Sequence, residues 1–166
     1  MQMVYVPEED RILFRVNSTD KKEFRFWITR RYAMLLARVL RDHKASDPDV
    51  TMQSTLEGKK AVQEFKKEKA IEEASFGQKF EEEGNQYPLG ESIQLAYQLT
   101  YKAKESGSMR LSVRPRTGQG INVLINQEIN ITLTQLLLRA AKNGDWKLDE
   151  WLENNPAIQK EKTVIN

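Results

Sequence analysis

The arginines of this chain are the residues whose type and spacing could do chemistry. Arg11 and Arg15 stand at alternating positions of the run RILFRV, and Arg25 stands close to Trp27 in EFRFWI. A guanidinium group forms paired hydrogen bonds with phosphate, and an exposed tryptophan can stack on a nucleic acid base. The sequence therefore predicts a surface that binds an anionic partner, and single-stranded nucleic acid is the partner that fits best.

The distribution of charge along the chain supports this hypothesis. The formal net charge is only +2, but residues 93–143 contain 7 Lys or Arg against 2 Asp or Glu. Most of that positive excess is arginine, in alternating runs like those near the N-terminus. The residues expected to form the nucleic-acid-binding surface are Arg11, Arg15, Arg25, Trp27, Arg30, Arg31, Arg110, Arg114 and Arg116.

Two of these arginines stand where a helix is expected to begin. Thr29 fits the N-cap position, so Arg30 and Arg31 fall in the first helical turn. That end of a helix carries partial positive charge, and an exposed cation there costs about 0.3–1 kcal/mol. A bound anion would offset the cost, because helix N-termini attract anions. We therefore expect Arg30 and Arg31 to extend the surface at one edge.

Hydrophobic periodicity predicts the elements that would position these side chains. Apolar residues alternate with polar ones over 11–16 and 23–28, and again in three runs that begin at residues 93, 109 and 121. Helical spacing indicates helices over about 30–42 and about 129–144, and Ser54 and Glu57 match a capping box for a helix over about 55–75. The expected fold is α+β, with one five-stranded antiparallel sheet, helices packed mainly on one face, and the order ββααβββα.

Periodicity also predicts which apolar side chains are buried and where the domain ends. The run from residue 93 is expected to bury Leu95, Tyr97 and Leu99 on one face, which leaves Gln98 and Lys102 on the face with the arginines. The middle helix is expected to bury a narrow stripe made of Leu56, Val62, Phe65 and Ile71. Residues 1–152 are expected to form a single domain and residues 153–166 a mobile tail.

Two competing hypotheses remain open at this point. In the first, carboxylates such as Glu23 and the acidic region 64–83 neutralise the arginines, and Trp27 lies under a helix or loop. In the second, the chain is a protein-interaction or homo-oligomeric module without a nucleic-acid role. Its Ile-rich final strand would pair with a second copy, and Trp146, Trp151 and Leu152 would fill a partner's groove.

Composition argues against several other classes of protein. The chain has no cysteine and one histidine, His43, which is expected to be solvated near a helix end. Asp42, Asp47 and Asp49 lie close to His43 but match no metal-binding loop, and RTGQGIN is not a phosphate-binding loop. We expect no enzyme activity, cofactor or metal. No membrane span and no signal peptide is indicated, which predicts the cytoplasm.

Two stretches carry a resemblance to known sequences. EFRFWITRRYAMLL and YPLGESIQL are similar to segments of small uncharacterised bacterial cytoplasmic proteins, in which a hairpin leads into a threonine-capped helix that starts with arginines. The similarity extends over most of residues 10–145. It implies a bacterial cytoplasmic origin, and it transfers no catalytic or binding residue.

Overall fold

The computed structural model of the chain describes residues 1–73, 86–104, 106–155 and 163–165. These residues form an α+β fold whose strands are mostly antiparallel, as the sequence predicts. The prediction of one five-stranded sheet is wrong, because the strands divide between two sheets. The predicted order ββααβββα is also wrong, since the chain adds strands that periodicity did not reveal.

The first sheet has the strand order β1–β2–β3–β4. Its strands are β1 (Gln2–Val6), β2 (Arg11–Asn17), β3 (Glu23–Ile28) and β4 (Gln94–Leu95). The first three are antiparallel neighbours, and β4 runs parallel to β3 after a long crossover. Alternation in β2 and β3 turns Ile12, Phe14, Phe26 and Ile28 inward, where each is at most 2% exposed.

The second sheet has the strand order β7–β6–β5–β8, and all of its neighbours are antiparallel. Its strands are β5 (Gln98–Ala103), β6 (Met109–Arg114), β7 (Ile121–Ile125) and β8 (Thr163–Ile165). Leu99, Met109, Leu111 and Ile125 point into the same core as the first sheet. The stretch 153–166, which the sequence assigned to a tail, therefore contributes β8.

The predicted strand over 93–101 divides at Ala96 and Tyr97, and this division separates the two sheets. The Ala96 amide donates to the Trp27 carbonyl at 2.9 Å, whereas the Tyr97 amide donates to the Arg114 carbonyl at 2.9 Å. Ala96 and Leu99 are both 0% exposed although they are three residues apart, so the alternation slips by one position between them. Leu95, which was expected to be buried, is 41% exposed for this reason.

The helices cover the inner side of the two sheets. They are α1 (Arg30–Ala45), α2 (Pro48–Thr51), α3 (Leu56–Glu73), α4 (Gln127–Asn143) and α5 (Leu148–Asn154). Helix α1 packs against α4 and β5, and α4 packs against β1 and β7. The Thr29 side chain accepts a hydrogen bond from the Tyr32 amide, which confirms the predicted N-cap, and Asn126 caps α4 in the same way.

The predicted buried stripe of α3 is wrong. Leu56 is 70% exposed and Phe65 is 67% exposed, while the buried side chain of this helix is Ala70. The cap also lies one residue later than the capping box predicts, because the Gly58 amide donates to the Thr55 hydroxyl at 3.0 Å. With its many Lys and Glu side chains, α3 is mostly solvated and contacts the fold through α2 and α4.

The aromatic residues near the C-terminal end of the described chain belong to the core. Trp146 and Leu148 are each 2% exposed, and Trp151 and Leu152 pack against the same cluster. The Trp146 ring meets the Tyr5 ring edge-on, with 5.9 Å between centroids. These side chains are therefore part of the protein's own packing, which argues against the alternative that they fill a partner's groove.

Candidate anion-binding surface

The outward face of the second sheet carries a group of cations that alternate with core residues. In β6, Leu111 and Val113 are each 1% exposed, whereas the arginines on either side of them, Arg110 and Arg114, are exposed. In β5, Lys102 is exposed in the same way. We call this surface the basic face; it consists of Gln98, Thr100, Lys102, Arg110, Ser112, Arg114, Asn122 and Leu124.

Strand register places two of these cations directly opposite each other. Lys102 of β5 is the cross-strand partner of Arg110 in β6, and Gln98 is the partner of Arg114. Like charges that face each other across antiparallel strands destabilise the sheet. In the described part of the chain, no carboxylate forms an ion pair with Lys102, Arg110 or Arg114. The basic face is therefore a concentrated positive surface.

Polar side chains without charge lie among these cations. Ser112 donates a short hydrogen bond to the Asn122 side chain across β6 and β7, and Thr100 is the partner of Ser112 on β5. Ser112 is buried, so the face offers the half-buried Thr100 hydroxyl and the exposed Asn122 amide next to guanidinium groups, a mixture found where proteins contact phosphate and sugar.

Arg116 and Tyr97 extend the basic face at one end. Arg116 follows β6 after Pro115, and its guanidinium carbon lies 5.9 Å from the centroid of the Tyr97 ring. Tyr97 is half-buried, so part of this ring faces solvent. Sequence reasoning missed Tyr97 because it expected Tyr97 and Leu99 to be buried on the same face. The slip after Ala96 depends on strand pairing, and no local signal marks it.

The arginines of the first sheet are engaged in contacts within the chain. Arg15 donates from Nε to Glu23 Oε1 at 2.6 Å, and the Glu23 side chain is 0% exposed. The Arg25 guanidinium lies 3.8 Å from the centroid of the Tyr87 ring and donates to the Glu91 carbonyl. Arg15 therefore agrees with the competing hypothesis, in which Glu23 neutralises it.

Arg11 and Trp27 lie on the outward side of the first sheet, apart from the basic face. Arg11 is 3.5 Å from a Glu9 carboxylate oxygen, and both side chains are partly exposed. Trp27 is half-buried and stands in register between Leu13 and Leu95. The structure therefore places Trp27 in an apolar row and not among the cations of the second sheet.

Arg30 and Arg31 differ in their surroundings. Arg30 donates from Nη2 to the Trp146 carbonyl at 3.1 Å, which ties the start of α1 to the segment before α5. Arg31 is exposed. Both arginines are therefore exposed, and a contact within the chain accounts for the position of Arg30.

The nine expected residues thus divide into groups on different elements. Arg110, Arg114 and Arg116 come together on or beside the basic face, where Lys102 and Tyr97 join them. Four of them lie on the first sheet, namely Arg11, Arg15, Arg25 and Trp27. The remaining two, Arg30 and Arg31, lie at the start of α1. The sequence suggested one surface because it suggested one sheet.

The described residues contain neither a membrane-spanning helix nor a cluster of metal ligands. None of the helices found there is both long enough and apolar enough to span a membrane. The same residues contain no group of three or more His, Cys, Asp or Glu side chains arranged to hold a metal ion. Comparisons of the chain with protein-family models, with curated proteins and with solved structures gave no match.

Proposed function

We propose that this protein is a non-enzymatic binding protein that contacts an anionic partner, single-stranded nucleic acid, through the basic face. The observation that carries the proposal is the cross-strand pair Lys102 and Arg110, which stands beside Arg114 with no ion pair to any described carboxylate. A phosphate between the two cations would remove their mutual repulsion and gain charge-assisted hydrogen bonds from both.

The shape of the basic face fits an extended strand better than a small ligand. Arg110 and Arg114 are four residues apart on β6, which corresponds to about 13 Å along a strand. A nucleic-acid strand that runs along β6 could place phosphates on both arginines, and its bases could stack on Tyr97, beside Arg116. We place this activity in the cytoplasm, consistent with a sequence that contains no cysteine.

The proposal is tested by a fluorescence anisotropy titration with labelled single-stranded DNA and RNA. The double variant Arg110→Glu, Arg114→Glu is expected to bind at least about tenfold more weakly than the wild type, because two phosphate contacts become repulsive. The matched control is Arg139→Glu, Lys142→Glu on the exposed side of α4, which makes the same change in net charge. The proposal would be refuted if both double variants lost affinity equally, or if neither bound nucleic acid more weakly than the wild type.

A second candidate function is self-association through β7, and one observation favours it. A cleft of about 400 Å³ lies beside β7 and is lined by Val16, Phe24 and the consecutive residues 120–124. Consecutive residues point to both faces of a strand, so the cleft follows the edge of β7. Among the described strands none pairs with that edge, and a second copy could add its own β7 there.

Light scattering coupled to size-exclusion chromatography tests this second function. A dimer that Leu124→Lys disrupts would support it, since Leu124 lines the cleft and is 53% exposed. A monomer at every concentration up to the high micromolar range would refute it.

A further inference from the structure

The single histidine of the chain is a buried junction between three elements. His43 belongs to α1 and is 6% exposed, so the expectation of a solvated histidine is wrong. Its Nε2 lies 3.0 Å from the carbonyl oxygen of Gly107, in the turn between β5 and β6. Its Nδ1 lies 2.7 Å from the side-chain nitrogen of Asn130, which belongs to α4 and is 0% exposed.

The ring has one fixed donor and one fixed acceptor as hydrogen-bond partners, and together they determine its protonation state. The Asn130 Nδ2 donates to the Leu40 carbonyl at 2.9 Å, and the Thr134 hydroxyl donates to Asn130 Oδ1 at 3.2 Å, so the orientation of the amide is set. The same Nδ2 must then donate to His43 Nδ1, which has to be unprotonated. The Gly107 carbonyl can only accept, so the hydrogen of the ring is on Nε2.

The protonated ring does not fit this arrangement. An Nδ1 hydrogen would face the Asn130 amino group, and two donors repel each other. Turning the Asn130 amide over would place Oδ1 against the Leu40 carbonyl oxygen, and that carbonyl would lose the hydrogen bond it accepts from Nδ2. Neither arrangement satisfies all the buried groups, so protonation of His43 must break the contact between α1 and α4 at this point.

The charged groups near the ring act in opposite directions. Burial lowers the pKa of His43 from its ordinary value of 6.5, whereas the hydrogen bond to Gly107 and the Asp47 carboxylate favour the charged form. Asp47 is itself 3% exposed and is engaged by Lys66 of α3 at 2.6 Å. Lys44, the next residue on α1, is half-buried, and the residues of α4 that contact His43 are uncharged.

We propose that His43 is a proton-sensitive anchor that fixes the turn between β5 and β6 onto helices α1 and α4. The turn is tight, because Gly107 has a φ of +74° and its amide donates to the Lys104 carbonyl at 3.1 Å. The hairpin that the turn closes carries Lys102 and Arg110 close to its end. A charged ring still donates from Nε2 to Gly107, so protonation leaves this hairpin on α1 and releases the side of the anchor at Asn130.

Nuclear magnetic resonance of the full chain tests the anchor without any ligand. Because the sequence has one histidine, its ring signals need no assignment by mutation. We expect the neutral ring to carry its hydrogen on Nε2 and to titrate below pH 6.5. We also expect protection factors of the amides at residues 42–45 and 130–133, where α1 meets α4, to fall at least about tenfold over the same pH range, once the intrinsic exchange rate is divided out.

His43→Gln is the matched variant, since a glutamine amide can donate to Gly107 and does not titrate. The same amides of this variant should keep their protection across that pH range. The proposal is overturned if the wild-type ring carries its hydrogen on Nδ1, if it titrates at or above pH 6.5, or if protection of these amides does not change with the ring titration. If His43→Gln fails to fold, the three wild-type measurements still decide the matter, and none of them depends on nucleic acid binding.

Discussion

Lys102 and Arg110 face each other across β5 and β6, so two cations occupy neighbouring positions on one exposed sheet surface. A sheet optimised for stability alone would pair one of them with a carboxylate. Here the strands place hydrophobic partners, such as Tyr101 with Leu111, on the opposite side of the same ladder. Core packing on the other side of the ladder thus holds the two cations together.

Replacing one of the two cations by an acid should separate stability from binding. We expect Lys102→Glu to raise the free energy of unfolding by about 0.2–1 kcal/mol, because an opposite-charge pair replaces a like-charge pair. The same variant should bind single-stranded nucleic acid more weakly. Urea denaturation and anisotropy titrations measure the two effects. Lys104→Glu is the control, since it makes the same charge change outside the register pair and should not increase stability.

The buried ion pair of the first sheet should matter more for stability than exposed pairs do. Glu23→Gln removes the carboxylate charge that lies 2.6 Å from the Arg15 guanidinium, which is 13% exposed. We expect the free energy of unfolding to fall by about 3 kcal/mol, as is typical when one member of a buried pair is removed. Glu64→Gln, which breaks an exposed pair with Lys67, should change it by less than about 1 kcal/mol. Similar effects of the two variants would contradict the burial of Glu23.

The stability of the protein should decrease in mild acid because of His43. The ring has a lowered pKa in the folded chain, so above pH 6.5 it is neutral in both states and its contribution to stability is fully present. As pH falls below 6.5 the unfolded chain binds a proton before the folded chain does, and stability declines until the folded ring also titrates.

Urea denaturation at several values between about pH 5 and about pH 7.5 measures this decline, in a range above the ordinary pKa values of Asp and Glu. His43→Gln should show a flatter profile than the wild type. A wild-type stability that rises as the pH falls through this range would contradict the neutral, buried ring.

Local sequence patterns predicted the elements better than they predicted the sheets. Thr29 is the N-cap of α1 because that interaction involves only residues three apart, and Phe14 and Phe26 are buried because alternation is a local property. The division between the sheets depends on Ala96 and Tyr97 choosing different neighbours, Trp27 and Arg114. Such pairing lies outside any local window, so one run of alternating residues was taken for one strand.

The same limit explains what sequence reasoning missed in the candidate site and in its surroundings. Arg15 and Arg110 occupy similar alternating runs, yet Glu23 neutralises the first and Lys102 faces the second. His43 appeared to be a polar loop residue, but α1 continues to Ala45 and brings it against Asn130, 87 residues away. Periodicity gives the side of an element on which a residue lies, whereas its partner depends on the tertiary fold.

The salt dependence of nucleic acid binding tests the central claim most directly. If Lys102 and Arg110 share one phosphate and Arg114 and Arg116 each contact another, the logarithm of the binding constant should fall with the logarithm of salt concentration with a slope of about −2. Between about 50 and about 200 mM NaCl the wild type would then lose about 20-fold in affinity, and the Arg110→Glu, Arg114→Glu variant should show no more than about half that slope. Binding that does not respond to salt, or a variant with the wild-type slope, would contradict the assignment of the basic face as the phosphate-binding surface.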